Sequence, residues 1–264
     1  MIRLLALDID GTLLDKENKI RDTVREAVKT TLKKGIEVAV LSGRNYDGMK
    51  MYIEELGLKG MAAAANGVQI VNIASNEIVC QKEMDPEISK DIINEAVKLD
   101  LTIVNFAGLM VYTEGFEGIP PEYIKPLNQK FVFIENIMEH VKENTPIKLL
   151  MVGERENLDE FRLYVEKSYG NELNVEYSMT NLLEVYSKGV DKGKALEYLM
   201  KFYGIGRHET LCIGDSENDI AMFQVSGTAV AMGNAPEHVK EKADQVTESS
   251  ECDGVAFAIE KWVL

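Results

Sequence analysis

Four short clusters in this chain pair charged or hydroxyl side chains with a position beside an apolar run. The first is Asp8-Ile9-Asp10-Gly11-Thr12, directly after Leu4-Leu5-Ala6-Leu7. Two like charges ~4 Å apart at an effective dielectric of about 20 repel by roughly 4 kcal/mol. Two carboxylates at the end of a buried strand therefore imply a cation, or a reaction that bears charge, at that point. The second cluster is Ser42-Gly43-Arg44, the third Lys192-Gly193, and the fourth Asp215 with Asn218-Asp219. An acidic turn, a Ser-Gly pair or a single lysine is commonplace in isolation. Ligands of open parallel sheets, however, bind at the carboxyl ends of the strands, and each of the four clusters falls at such an end or at a helix start.

The elements that must position these clusters follow from periodicity. Ile2–Leu7 reads as a short strand. Val24, Ala27, Val28 and Leu32 recur at helical spacing, and Gly35 ends that helix. Residues 36–41 form the next strand, leading into Ser42. Met49, Tyr52, Ile53 and Leu56 make a second helical stripe, stopped by Gly57, and Asn66-Gly67 between two apolar runs reads as a two-residue hairpin turn. This β-α-β-α-β opening implies a parallel sheet with right-handed crossovers. The middle of the chain mixes strands and helices differently: Ile88, Ile92, Ala96 and Leu99 share a helical face, strands pair around Ala107-Gly108, and residues 114–126 are loop-like, with three of the six prolines. Strand-helix alternation then returns through Thr210–Ile213, Thr228–Met232 and a last helix carrying Val255, Ile259 and Trp262. The expectation is an α/β protein whose core domain is split over 1–83 and 189–264 around an inserted α+β domain at 84–188.

Bulk properties exclude some functions. The 264 residues include 44 Asp and Glu against 29 Lys and Arg, a formal net charge of −15. Nucleic acid and anionic membrane surfaces need basic patches, so neither is expected as a partner. A small anionic substrate stays compatible, because a bound metal reverses the sign locally. The three cysteines, Cys80, Cys212 and Cys252, are far apart and form no CxxC pair, which fits a reducing cytoplasmic setting better than a zinc site or a disulfide framework. No apolar run approaches the ~20 residues of a membrane helix. Met1-Ile2-Arg3 runs straight into the first strand, so no leader segment is expected.

DIDGTLLD at 8–15, LSGR at 41–44, VDKGKAL at 190–196 and GDSENDIAMF at 214–223 resemble the four motifs of the haloacid dehalogenase (HAD) superfamily. The insertion after the third strand, AMGNA at 231–235 and Asp253-Gly254-Val255-Ala256 resemble its Cof-type branch, which carries a C2-type cap and includes bacterial sugar-phosphate phosphatases. The resemblance covers both core segments; the cap matches in size and position. It implies a Rossmann-like core, Mg2+ as cofactor, and hydrolysis of small phosphorylated metabolites, sugar phosphates foremost, through an aspartyl-phosphate. Phosphoryl transfer to a second sugar, or phospholigand binding without turnover, are the other activities this fold would allow. By the same resemblance Asp8 would be the nucleophile and Asp10 the acid and base. Asp8, the Asp10 carbonyl and Asp215 would hold the metal, with Asp219 orienting its water shell. Ser42 and Gly43 would bind the phosphate beside the sharp turn at Gly11, Lys192 would neutralise charge, and Asn218 would hold either the phosphate or Lys192.

Plainer readings stand beside these. Ser42 could cap the helix beginning near Tyr46. Asp219 could serve only as favourable charge at a helix start, although a lysine in that position, as at Lys192, is mildly unfavourable. Arg44 could contact substrate or pair with an acid, the pairing being preferred. Asn66-Gly67 could be only a hairpin turn, although the resemblance implies a place for the pair near the site. His140, His208 and His238 have no ligand spacing. Nothing in the sequence sets the oligomeric state.

Overall fold

A computed structural model describes residues 1–121 and 131–264. The chain divides into two compact units, Met1–Cys80 with Val190–Leu264, and Gln81–Gly189. The loop-like stretch is described as far as Pro121; its part at 122–126 lies outside the described residues.

The first unit is built on an eight-stranded sheet. β1 (Leu4–Leu7) is fully buried and lies between β2 (Glu37–Leu41) and β12 (Thr210–Gly214), parallel to both. β3 (Met61–Ala64) continues parallel beyond β2, and β13 (Thr228–Ala231) beyond β12. Unbroken apolar strands such as Leu4-Leu5-Ala6-Leu7 suit a parallel sheet, because both of its faces are covered. The shared direction brings the carboxyl ends of β1, β2, β3 and β12 to one edge, where three of the four clusters begin.

The helices of this unit carry their own start and stop signals. α1 spans Asp22–Lys33 and α2 Tyr46–Leu56. Asn45 Oδ1 accepts the Gly48 N–H at the start of α2, and Gly57 ends it at φ +67°. That assigns the cap of α2 to Asn45 and corrects the capping role considered for Ser42. α6 (Lys192–Tyr203) begins on Asp191, which accepts the Lys194 N–H at 2.7 Å, and ends at Gly204 with φ +61°. Leu196 and Leu199 of α6 pack with Leu4, Ala6, Ala39, Leu41, Cys212 and Met222 in one buried core.

The connection after β3 departs from the two-residue hairpin. β4 (Gln69–Asn72) does return antiparallel to β3, but Ala64 faces Gln69, so the loop is 65–68. Its backbone is engaged elsewhere: the Ala65 N–H donates to Arg44 O at 2.7 Å and the Asn66 N–H to Ser42 O at 2.9 Å. Those bonds hold Ala65, Asn66 and Gly67 in the left-handed region at φ 50°, 57° and 90°. A Cβ at residue 67 would lie 2.5 Å from Asp191 O, so the start of α6 rests on a glycine that nothing larger could replace.

With β9 at Lys148–Val152, β10 at Leu173–Met179 and β11 at Leu182–Ser187, the second unit is a six-stranded sheet in the order β10-β11-β9-β6-β7-β8. Its neighbours pair antiparallel except β7 (Met110–Thr113) with β8 (Phe131–Phe133). β6 (Thr102–Ala107) turns into β7 through Gly108-Leu109. α3 (Pro86–Lys98), started by Asp85 and Pro86, and α5 (Arg155–Tyr169) cover one face. Ile92, Ala96, Leu149, Met151, Phe161 and Leu183 form its core. α4 (Ile137–His140) is a single short turn. Three strands carry no clear signal in the sequence: β5 (Glu77–Gln81), half-exposed at one rim of the first sheet, the two-residue β14 (Gln245–Val246) at its other rim, and the three-residue β8. No helix of the described residues is long and apolar enough to cross a membrane.

Asp91 of α3 joins the two long helices of this unit, accepting the Tyr164 hydroxyl at 2.5 Å and the Tyr169 hydroxyl at 2.8 Å. Those bonds, Tyr164 first, hold its carboxyl below the ordinary range, and Asp91 pushes the Tyr164 phenol up to about 12. Asp91→Ala should lower unfolding stability by about 1–2 kcal/mol at pH 7. A depressed carboxylate stabilises above its unfolded pKa of about 3.9 and ceases to as pH falls through the folded value. The gap between wild type and variant in urea unfolding should therefore close below about pH 4. An undiminished gap at pH 3 would assign the loss to packing instead.

Candidate active site

Lys192 is the first residue of α6 and is 1% exposed. A cation at a helix start opposes the dipole, and burial opposes it further. Two carboxylates reverse the balance. Lys192 Nζ lies 2.5 Å from Asp8 Oδ1, at the end of β1, and 2.6 Å from Asp219 Oδ1. Burial pulls the lysine pKa down, but Asp219 and Asp8 outweigh it and hold it well above the ordinary value. Asp219 is wholly buried and belongs to the short turn Glu217–Asp219 that leads into α7 (Ile220–Val225). Its Oδ2 accepts the N–H groups of Asp215 and Ser216, both at 2.9 Å. Both Asp219 oxygens are thus engaged, one on the lysine and one on the backbone that carries Asp215.

Asp215 follows β12 and faces the same point. One oxygen each from Asp8, Asp215 and Asp219 lie within 4.8 Å of one another. Burial raises the Asp8 pKa well above the carboxylate range; Lys192 opposes that shift and Asp219 adds to it. Burial, then Asp219, push Asp215 up to about 6. Thr12 Oγ1 and Ser216 Oγ donate to Asp215 Oδ1 at 3.2 and 3.3 Å. Gly11 has φ +77°, and a Cβ there would sit 2.2 Å from Asp215 Oδ2. This glycine therefore makes room for Asp215 as well as turning the chain. Asn234, in the AMGNA segment, donates to Gly11 O at 2.8 Å and sits 3.4 Å from Asp215 Oδ2.

Asp10 is placed differently from its neighbour. Its half-exposed carboxylate is held by buried Arg44, Nε to Oδ2 at 2.8 Å and a terminal nitrogen to Oδ1 at 2.5 Å. Arg44 also donates to Gly48 O and Tyr52 Oη. The arginine thus pairs with an acid, as preferred from the sequence. Ser42 is buried at the end of β2, its Oγ accepting the Arg44 N–H at 3.2 Å, with Gly43 beside it. Asn218 reaches neither Lys192 nor Asp8; its Nδ2 donates to Asn66 Oδ1 at 3.0 Å. Two of the three lysine N–H donors are taken by carboxylates, and Asn218 turns to the loop at 65–68 instead. Asn66 is therefore brought to the site, a placement the resemblance implies and the turn signature alone does not. Among the described residues the group able to hold a metal contains no histidine, and His238 lies 3.0 Å from Glu217 instead.

The donor set is oxygen only, with negative charge beyond what Lys192 neutralises, and it suits a hard divalent cation. Asp8 and Asp215 face that point with shifted protonation, as groups at functional sites often do.

Comparison with known proteins gives three findings. Residues 5–259 match the family described as haloacid dehalogenase-like hydrolase. The chain is 30% identical over 265 residues to the 5-amino-6-(5-phospho-D-ribitylamino)uracil phosphatase of Bacillus subtilis (strain 168), covering 100% of this chain and 96% of that one. It superposes on a haloacid dehalogenase-like hydrolase from Bacteroides thetaiotaomicron with a TM-score of 0.91 at 29% identity, over 99% of each chain.

Removing the lysine tests how the site is held. Lys192→Met leaves Asp8 and Asp219 buried without their cation and should cost about 3–5 kcal/mol at pH 7. Carboxylates with raised pKa destabilise above the folded value and recover as they take up protons. The deficit, measured by chemical denaturation, should shrink as pH falls from 8 toward 5. A deficit independent of pH would mean that the lysine stem, not its charge, is what matters.

Proposed function

The chain belongs to the haloacid dehalogenase-like hydrolase family, and on that premise we propose that it is a magnesium-dependent phosphatase that hydrolyses sugar-like phosphate monoesters through a phosphorylated Asp8. The observation that carries this reading is the buried Asp8–Lys192–Asp219 bridge beside Asp215. Lys192 engages Oδ1 of Asp8, which fixes the carboxylate and leaves Oδ2 to attack phosphorus. The P–O bond to the leaving group breaks as the Asp8–phosphorus bond forms. Asp10 supplies the proton to the departing alkoxide. It then takes a proton from the water that attacks the aspartyl-phosphate, which releases phosphate and restores Asp8. To do so its carboxyl must exchange Arg44 for the substrate. The Ser42 hydroxyl and the Gly43 N–H bind phosphoryl oxygens, and Lys192 offsets charge as it develops.

The fit to a metal rests on the donors themselves. Three carboxylates against one ammonium leave two negative charges, which a divalent cation balances, and every donor is a hard oxygen. Asp8, Asp215 and the Asp10 carbonyl would hold magnesium. Asp219, with both oxygens engaged, sets the position of Asp215. Bound magnesium screens the repulsion between the carboxylate and the phosphate dianion. The name of the Bacillus subtilis relative specifies a phosphorylated ribityl chain, which supports a polyhydroxylated phosphate monoester as the substrate class. The free thiols of Cys80, Cys212 and Cys252 support a cytoplasmic setting.

The test is inorganic phosphate release across a panel of phosphorylated sugars, polyols and nucleotides, with magnesium and with EDTA. Release should require magnesium and favour the sugar and polyol esters. Asp8→Asn should lower the rate by about 10³-fold or more. Asp10→Asn should slow alkyl phosphates by about 10²–10⁴-fold, and p-nitrophenyl phosphate far less, because that leaving group needs little protonation. Wild-type turnover by Asp8→Asn would remove the nucleophile from this scheme. Label passing between sugars without free phosphate would make the protein a phosphotransferase.

A further inference from the structure

The turn between β3 and β4 holds three successive residues in the left-handed region, and two of them are not glycine. Such conformations persist where the surroundings over-determine them, and they gather at functional sites. Here the surroundings are the Arg44 and Ser42 carbonyls, which accept the Ala65 and Asn66 N–H groups. The consequence is where the Asn66 side chain goes. It lies against Gly43, with Oδ1 3.1 Å and Nδ2 3.7 Å from the point where a Cβ on that glycine would stand. A larger residue at position 43 would fill this space.

The orientation of the amide is fixed from the other side. Asn218 Nδ2 donates to Asn66 Oδ1, so the oxygen is the end that faces Asn218. The NH2 end is left over. Asn66 is 9% exposed as a residue; its Nδ2 has no hydrogen-bond partner among the described residues and is not one of their buried unpaired atoms, so the NH2 end stays open to solvent. An open amide donor beside Ser42 and Gly43 is available to an oxygen of a ligand. Ser42 and Gly43, beside it, are the residues assigned above to the phosphoryl group.

We propose that Asn66 is a substrate-binding residue, its Nδ2 donating a hydrogen bond to a phosphoryl oxygen beside Ser42 and Gly43, with Asn218 as the positioning residue that holds the amide. The proposal rests on the phosphatase reading for the identity of the ligand and adds a donor to that site. An amide suits the task because it donates without adding charge, and asparagine is among the residues that best tolerate a left-handed backbone.

The test measures binding of inorganic phosphate by calorimetry in the presence of magnesium, alongside kcat and KM on the best ester of the panel. Asn66→Asp keeps size and backbone tolerance but sets a charged acceptor where a donor stood, and it should weaken phosphate binding by at least about tenfold. Asn66→Gly relieves the backbone and deletes the donor. It should weaken binding several-fold, with a thermal midpoint no lower than that of wild type. Asn218→Ala keeps Asn66 but frees its amide, and should raise KM about threefold with kcat little changed. Phosphate binding by Asn66→Asp within twofold of wild type would overturn the proposal. If both residue 66 variants fail to fold, an unchanged KM in Asn218→Ala overturns it instead. Phosphate binding that depends on Asn66 in a protein that releases no phosphate from any ester would retain this residue and reject the phosphatase. Turnover with binding indifferent to residue 66 would do the reverse.

Discussion

The bridge from Lys192 to Asp8 and Asp219 is the interaction on which the rest of this site depends. Each partner is nearly or wholly buried, so none of the three charges is tolerable without the others. The bridge also ties together chain segments that no local signal connects: the end of β1, the start of α6 and the turn before α7. Asp219 then extends the order outward, because its second oxygen grips the backbone at Asp215 and Ser216. A single ammonium thereby sets the direction of two carboxylates directly and of a third, Asp215, at one remove.

The remaining geometry makes room for that bridge. Gly11 and Gly67 are needed for what approaches them, Asp215 in one case and the Asp191 carbonyl in the other. Gly193 belongs with them: a Cβ there would come 2.4 Å from Ala221 O, so α6 and α7 can meet closely only because the residue after Lys192 has no side chain. The two carboxylates of the first cluster end in opposite circumstances. Asp8 is buried and poised within a repulsive group, whereas Asp10 is half-exposed and neutralised by Arg44. Two identical side chains two residues apart acquire different chemistry from what each faces.

Much of this was legible in the sequence, for a physical reason. An apolar run that switches abruptly to charge marks where a buried strand emerges, and three of the clusters carry that switch. Lys192 was legible as an oddity, a cation where a helix start disfavours one. The partners of those residues were harder to read. Asn66 sits in a signature that equally describes an ordinary two-residue turn, and only the bonds to the Ser42 and Arg44 carbonyls convert it into the loop at 65–68. Asn45 was passed over as the cap of α2 in favour of Ser42, because a cap is fixed by the first helical residue, which periodicity locates only loosely. Asn218 was left between the phosphate and Lys192, because nothing in the chain shows that its amide meets Asn66. β5, β8 and β14 escaped because short rim strands have little burial to impose a pattern.

The order of strands in the first sheet also has a consequence for biosynthesis. β1 leaves the ribosome well before β12, one of its two neighbours, with Leu4 beside Thr210. At a synthesis rate of about 5–20 residues per second, that neighbour arrives roughly 10–40 s later. Throughout the interval one edge of a wholly apolar strand has no permanent partner, the condition under which sheets recruit the wrong chain. The inserted unit is completed within that interval, and its strands pair only with one another. It can therefore be folded before the strand that ends at Asp8 is enclosed, so the nascent protein carries a finished insert while the candidate site is still unassembled.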